Sequence, residues 1–147
     1  MKKLLFLSLV FLGALSLASC KKTVQPSAFT PDSTPYSASF IGAVQYKDKV
    51  TSGNVPADGS CTIVTAQLMS GDALVKDWTF SVATDDYGKF GLTVPMKKGD
   101  KNLKYRIKAT VKNPNDSEGT YEHSIDVSSI NPGQTKDVGT ILCIATE

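Results

Sequence analysis

From Tyr36 to its end the chain alternates apolar and polar residues in short runs punctuated by Gly, Pro, Asn and Asp. A period of two puts alternate side chains on opposite faces of an extended strand, and the punctuating residues are those that tight turns demand. Seven strands are predicted, over 37–46, 60–69, 73–84, 88–94, 103–112, 119–128 and 138–145, and no window carries a helical stripe. Short strands at this spacing predict an all-β domain built as a seven-stranded antiparallel β-sandwich.

The fifth strand is the plainest. Leu103, Tyr105, Ile107, Ala109 and Val111 are expected to face inward, with Lys104, Arg106, Lys108, Thr110 and Lys112 outward. In the sixth, Tyr121, His123, Ile125 and Val127 share the inner side, and Glu122, Ser124 and Asp126 the outer. The turn-forming run 113–117 between them predicts a hairpin in which Lys108 faces Glu122, Lys104 faces Asp126 and Lys112 faces Glu118. On the inner face the same register sets Tyr105 against Ile125 and Ile107 against His123. Opposite charges across such a pair contribute about 0.2–1 kcal/mol each, so the basic strip reads as a charge-laced outer face rather than an anion site. His123, the only histidine, is expected on the inner face as a covered imidazole, with no partner at motif distance to make it a base or a ligand.

Trp78, Phe80 and Val82 alternate in the third strand, and Phe90, Leu92 and Val94 in the fourth, predicting a second hairpin across 84–89. The adjacent Asp85 and Asp86 raise a calcium loop, but spaced oxygen ligands and a closing glutamate are missing. The acids are expected to cap the turn, with Gly88 supplying a backbone angle other residues resist.

The first nineteen residues break the alternation. Met1-Lys2-Lys3 is positive, residues 4–17 are almost wholly apolar, and Leu17-Ala18-Ser19-Cys20 follows. Positive, apolar, then small is the order of a secretory signal, and the apolar run is shorter than the about 20 residues a membrane span needs. Leu17-Ala18-Ser19-Cys20 resembles the lipobox of bacterial lipoproteins. The resemblance implies that residues 1–19 are removed and that Cys20 becomes the lipidated N-terminus. Several acyl chains anchor stably where one is marginal. Lys21 stands where an Asp often marks inner-membrane retention, so the expected address is the cell envelope, at the outer membrane, with the leaflet open.

Taking 19 residues from 147 leaves 128, one domain and a tether. The leader carries two lysines and no acid, so the remaining 14 basic residues balance 14 acids. A neutral mature chain gives a nucleic-acid partner no support. Residues 20–35 hold the lipidated Cys and a flexible Ser/Thr/Pro-rich tether, and residues 36–147 the β-sandwich domain. Asp32-Ser33-Thr34 in the tether resembles a short O-glycosylation acceptor.

Within the folded part, Phe40-Ile41-Gly42-Ala43-Val44 resembles the opening strand of transthyretin-like and carboxypeptidase-regulatory-like domains. Residues 84–95, with Thr84, Asp85, Gly88, Phe90, Leu92, Val94 and Pro95, look like their central hairpin. Tyr105-Arg106-Ile107-Lys108-Ala109 and Val138-Gly139-Thr140-Ile141-Leu142 are similar to later strands. The resemblance spans about 38–145 and implies a transthyretin-like or immunoglobulin-like sandwich with an accessory, adhesive or ligand-binding role. Residues 46–60 are longer and more polar than the usual link, and loops on a rigid sandwich carry function.

Cys61 and Cys143 remain once Cys20 is lipidated. An oxidising compartment permits a disulfide between them, while their apolar surroundings equally suit two packed thiols. No catalytic, metal or cofactor motif is present: no G-x-S-x-G elbow, no H-E-x-x-H and no phosphate loop. The expected function is non-enzymatic: a binding or accessory domain held at the membrane through its lipid, with a protein or glycan partner in a surface glycan-handling or adhesion assembly. The alternatives are a minor component of a fimbria-like assembly and a periplasmic inhibitor or immunity-type protein. Donor-strand exchange would need an extra strand, and only two residues follow 145, which weighs against the fimbrial reading.

Overall fold

The computed structural model describes residues 36–49, 51–112 and 119–145. These form eight strands: β1 Ser37–Lys47, β2 Asn54–Pro56, β3 Thr62–Ser70, β4 Ala73–Ala83, β5 Lys89–Pro95, β6 Leu103–Lys112, β7 Thr120–Ile130 and β8 Thr135–Ala145. The class is all-β, as the alternation predicts. Two details differ. The short β2 lies within the segment read as loop, and β8 runs parallel to β1, so the sheet is mixed rather than wholly antiparallel.

The strands follow one another in the order β2-β1-β8-β7-β6-β3-β4, with β5 also on β1, and the path does not close. β5 and β2 share one edge of β1, pairing with 37–43 and 45–47 respectively. They meet at Val44, whose N–H donates to the Gly88 carbonyl while its own carbonyl accepts from Ala57. β8 follows the other edge of β1 from Ser39 to Tyr46, then pairs with β7 only at Tyr121 and Glu122. One extra residue in β8 beside Gly42 shifts that register: Ile41 faces Asp137, whereas Ala43 faces Thr140. Glycine is needed there, since a Cβ on residue 42 would stand 2.6 Å from the Gly139 carbonyl oxygen.

β1 and β6 are not ladder neighbours, yet the Phe40 and Tyr105 rings meet at 5.4 Å between centroids, and Tyr46 meets Tyr121 at 5.6 Å. The path therefore curls until its apolar faces oppose, burying Phe40, Val44, Val64, Phe90, Leu92, Val94, Tyr105, Ile107 and Ile141 between them. Within that core Thr62 is buried and its hydroxyl has no hydrogen-bond partner among the described residues. Thr62→Val keeps the shape and removes the stranded hydroxyl, so it should raise stability by about 1 kcal/mol. A lowered urea midpoint would show that the hydroxyl is satisfied after all.

β4 and β5 do not form the predicted hairpin. β4 pairs with β3, and β5 with β1, so 84–88 is a crossing between two groups of strands. Asp85 builds its turn: its Oδ1 accepts the N–H groups of Tyr87 and Lys89, at 2.9 and 2.8 Å. Gly88 follows with φ +76°. β6 and β7 do pair, two residues away from the expected register. Ile107 faces Ile125 and Ala109 faces His123.

One end of the molecule gathers the start of β1, the β3–β4 turn, the loop 96–102 and the turn 131–134. There Tyr36 and Ser37 accept hydrogen bonds from Met96 and Gly133, and the Asn131 carboxamide oxygen accepts from Asn102. The opposite end carries 48–61 and the crossing 84–88.

Candidate functional surface

The outer face of β6 and β7 carries the charged strip. Arg106 faces Asp126 directly and grips it with two hydrogen bonds, Nε to Oδ1 at 2.8 Å and NH2 to Oδ2 at 3.2 Å. Lys104 reaches Asp126 on the diagonal at 3.3 Å and Asp72 at 3.7 Å, and Lys108 reaches Glu122 diagonally at 2.8 Å. The expected partners Lys104–Asp126 and Lys108–Glu122 thus meet despite the slipped register, because long side chains span a diagonal. Lys112 faces Thr120, and Glu118 lies outside the described residues.

The Arg106 hydrogen bond, helped by Lys104, holds the Asp126 carboxyl down to about 2 against partial desolvation. A carboxyl lowered by folding stabilises the fold at pH above its unfolded value, and this is lost as pH falls through its folded value. The contact should therefore fade between about pH 4 and pH 2. Asp126→Asn should flatten the stability profile in that window. An unchanged slope in urea titrations across it would remove this role.

Cys61 and Cys143 are both present as thiols. Cys143 is fully buried in β8, where its Sγ lies 3.6 Å from the Ala109 carbonyl. Burial, and then the Glu122 charge, push its thiol up to about 11, although the His123 N–H acts in the other direction. A thiol that stays protonated is a poor nucleophile. Iodoacetamide near neutral pH should label the half-buried Cys61 well before Cys143 in the folded protein. Equal rates by peptide mass would contradict this burial.

His123 is exposed, against the expectation of a covered imidazole. Its parity is inward, but β8 leaves β7 after Glu122 to run along β1, and among the described residues no strand pairs with the edge of β7 beyond that point. Cys20 and the 32–34 acceptor lie outside the described residues. Among the described residues, no group of three or more His, Cys, Asp and Glu is placed to hold a metal ion, and no helix is long and apolar enough to cross a membrane.

Alternation alone does not reveal a second charged surface, where the chain enters its folded body. The loop 96–102 carries exposed Lys97, Lys98 and Lys101 against one acid, Asp100. Asp100 Oδ2 accepts the Lys97 N–H at 2.6 Å, which turns the carboxylate back into its own loop. Lys97 Nζ lies 5.5 Å from the centre of the Trp78 ring. Trp78 is half-buried, donates to the Tyr105 hydroxyl at 3.3 Å and meets Phe80 edge-on. Among the described residues none of these three lysines is in an ion pair, whereas Lys104, Arg106 and Lys108 all are.

No family model matches this chain, and no curated protein matches it in sequence.

Proposed function

We propose that this protein is an outer-membrane lipoprotein, anchored through acylated Cys20, that presents a transthyretin-like β-sandwich as a non-enzymatic binding or accessory domain. The observation that carries the reading is Leu17-Ala18-Ser19-Cys20 at the end of a positive-then-apolar leader. A Ser/Thr/Pro-rich stretch then separates the cysteine from β1, which suits a tethered domain. The meeting of Phe40 with Tyr105, on strands that are not ladder neighbours, supports a two-layered body. The laced charges of β6 and β7 support a stable scaffold that leaves recognition to its loops. The partner class is a protein or glycan in a surface glycan-handling or adhesion assembly.

The experiment has two readouts on protein expressed with its own leader. Mass of the N-terminal peptide should show an acylated Cys20, and fractionation should place the chain with the outer membrane. Replacing Cys20 by Ser should release it. An unmodified Cys20 ends the lipoprotein reading. A glycan and protein binding screen with the mature chain should return a ligand, and silence across glycans would end the carbohydrate version.

A further inference from the structure

We propose that the end of the domain where the chain enters docks on anionic phospholipid headgroups, with Lys97, Lys98 and Lys101 on the phosphates and Trp78 and Tyr36 at headgroup level. This rests on the lipid-anchor reading above and adds which surface faces the membrane.

The hydrogen bonds around β1 set the geometry. Tyr36 and Ser37 are fastened to Met96 and Gly133, and the Ser39 N–H donates to Gln134, so residue 36, where the described body begins, sits beside the loop 96–102. The fifteen residues 21–35 reach at most about 50 Å when extended, and an unstructured chain of that length averages near 20 Å. An anchor at Cys20 keeps this end of the domain close to the bilayer, where a high effective concentration makes weak attractions count.

The chemistry of the surface matches. Three ammonium groups stand in one short loop and the loop's carboxylate is spent on its own backbone. On the outer face of β6, by contrast, Lys104, Arg106 and Lys108 are taken up by Asp72, Asp126 and Glu122. Tyr36 is 43% exposed, and Trp78 sits beside the loop with Lys97 over its ring. Tryptophan and tyrosine favour the headgroup region because one part of each ring is apolar and another is polar. A lysine near an anionic bilayer raises binding about fivefold, and salt screens the effect.

Trp78 is the only tryptophan in the chain, so its fluorescence reports this surface alone. The lipidated mature protein is placed in vesicles of phosphatidylcholine, with and without phosphatidylglycerol, that contain brominated lipid. Quenching of Trp78 should be strong in the anionic vesicles, weak in the neutral ones and relieved by high salt. Replacing Lys97, Lys98 and Lys101 together by Gln should lower the docked-to-undocked ratio by about fivefold per lysine, with the melting curve unchanged. Lys47→Gln with Lys89→Gln, at the far end, should leave quenching as it was. Flotation and the peptide mass separate the two ways to fail. Acylated, vesicle-bound protein with Trp78 equally unquenched in both lipids, or equally quenched in both, overturns the docking. A Cys20 without acyl chains overturns the anchor and the docking together.

Discussion

Gly59→Ala should prevent stable folding, although glycine to alanine is the smallest change a side chain can undergo. A Cβ on residue 59 would overlap the Thr84 carbonyl oxygen and stand 2.9 Å from its carbon. Both atoms are backbone, so no rotamer change relieves the clash. Thr84 cannot simply retreat. It is buried, and its hydroxyl donates to the Ala57 carbonyl. Next to it, Gly88 also packs closely, with its missing Cβ 2.5 Å from the Val44 carbonyl oxygen. Separating 59 from 84 therefore strains the place where β1, β2 and β5 meet. The cost should exceed about 4 kcal/mol, a large part of the 5–15 kcal/mol that usually holds a domain together. Gly71→Ala is the control. Its φ is +64° but nothing lies within 4 Å of the added carbon, so it should cost only about 1–2 kcal/mol. Circular dichroism and urea denaturation of both variants decide the matter, and similar midpoints would mean that the approach of 59 to 84 relaxes easily.

The second large effect separates two aromatic residues that the alternation treats alike. Phe90→Ala should cost about 3–5 kcal/mol, because Phe90 is only 6% exposed and its ring lies in the core. Trp78→Ala should cost less despite the larger side chain, about 1–3 kcal/mol. Trp78 is on β4, the last strand of the path, where it packs against the core from the edge and is half-buried. Its loss removes the edge contact with Phe80 and the hydrogen bond to Tyr105. Thermal melts showing a greater loss for Trp78→Ala would place that ring deeper than this strand order allows.

The alternation by itself determined the class, seven of the eight strands and the inner faces of β5 and β6. Tyr105, Ile107, Ala109 and Val111 are buried as their parity predicts, and so are Phe90, Leu92 and Val94. That much follows from backbone geometry, since successive side chains must point to opposite faces wherever the chain is extended. Asp85 and Gly88 were legible as turn residues for the same local reason. Only the tertiary structure decided the pairing. A parity pattern survives a slip of two residues unchanged, so the charges of β6 and β7 suited either register, and the Ile107–Ile125 contact came out of packing. The run 84–88 is a good turn whether its strands pair with each other or separate, and here β1 and β3 compete for them and win. The exposure of His123 and the parallel course of β8 depend likewise on a strand distant in sequence. The proposed leader before Cys20 is read from the sequence alone, because such a signal lies in order and composition. The lysine surface beside the start of β1 belongs to the fold, because contacts between residues some sixty to a hundred positions apart bring the loop 96–102 and the turn 131–134 to Tyr36 and Ser37.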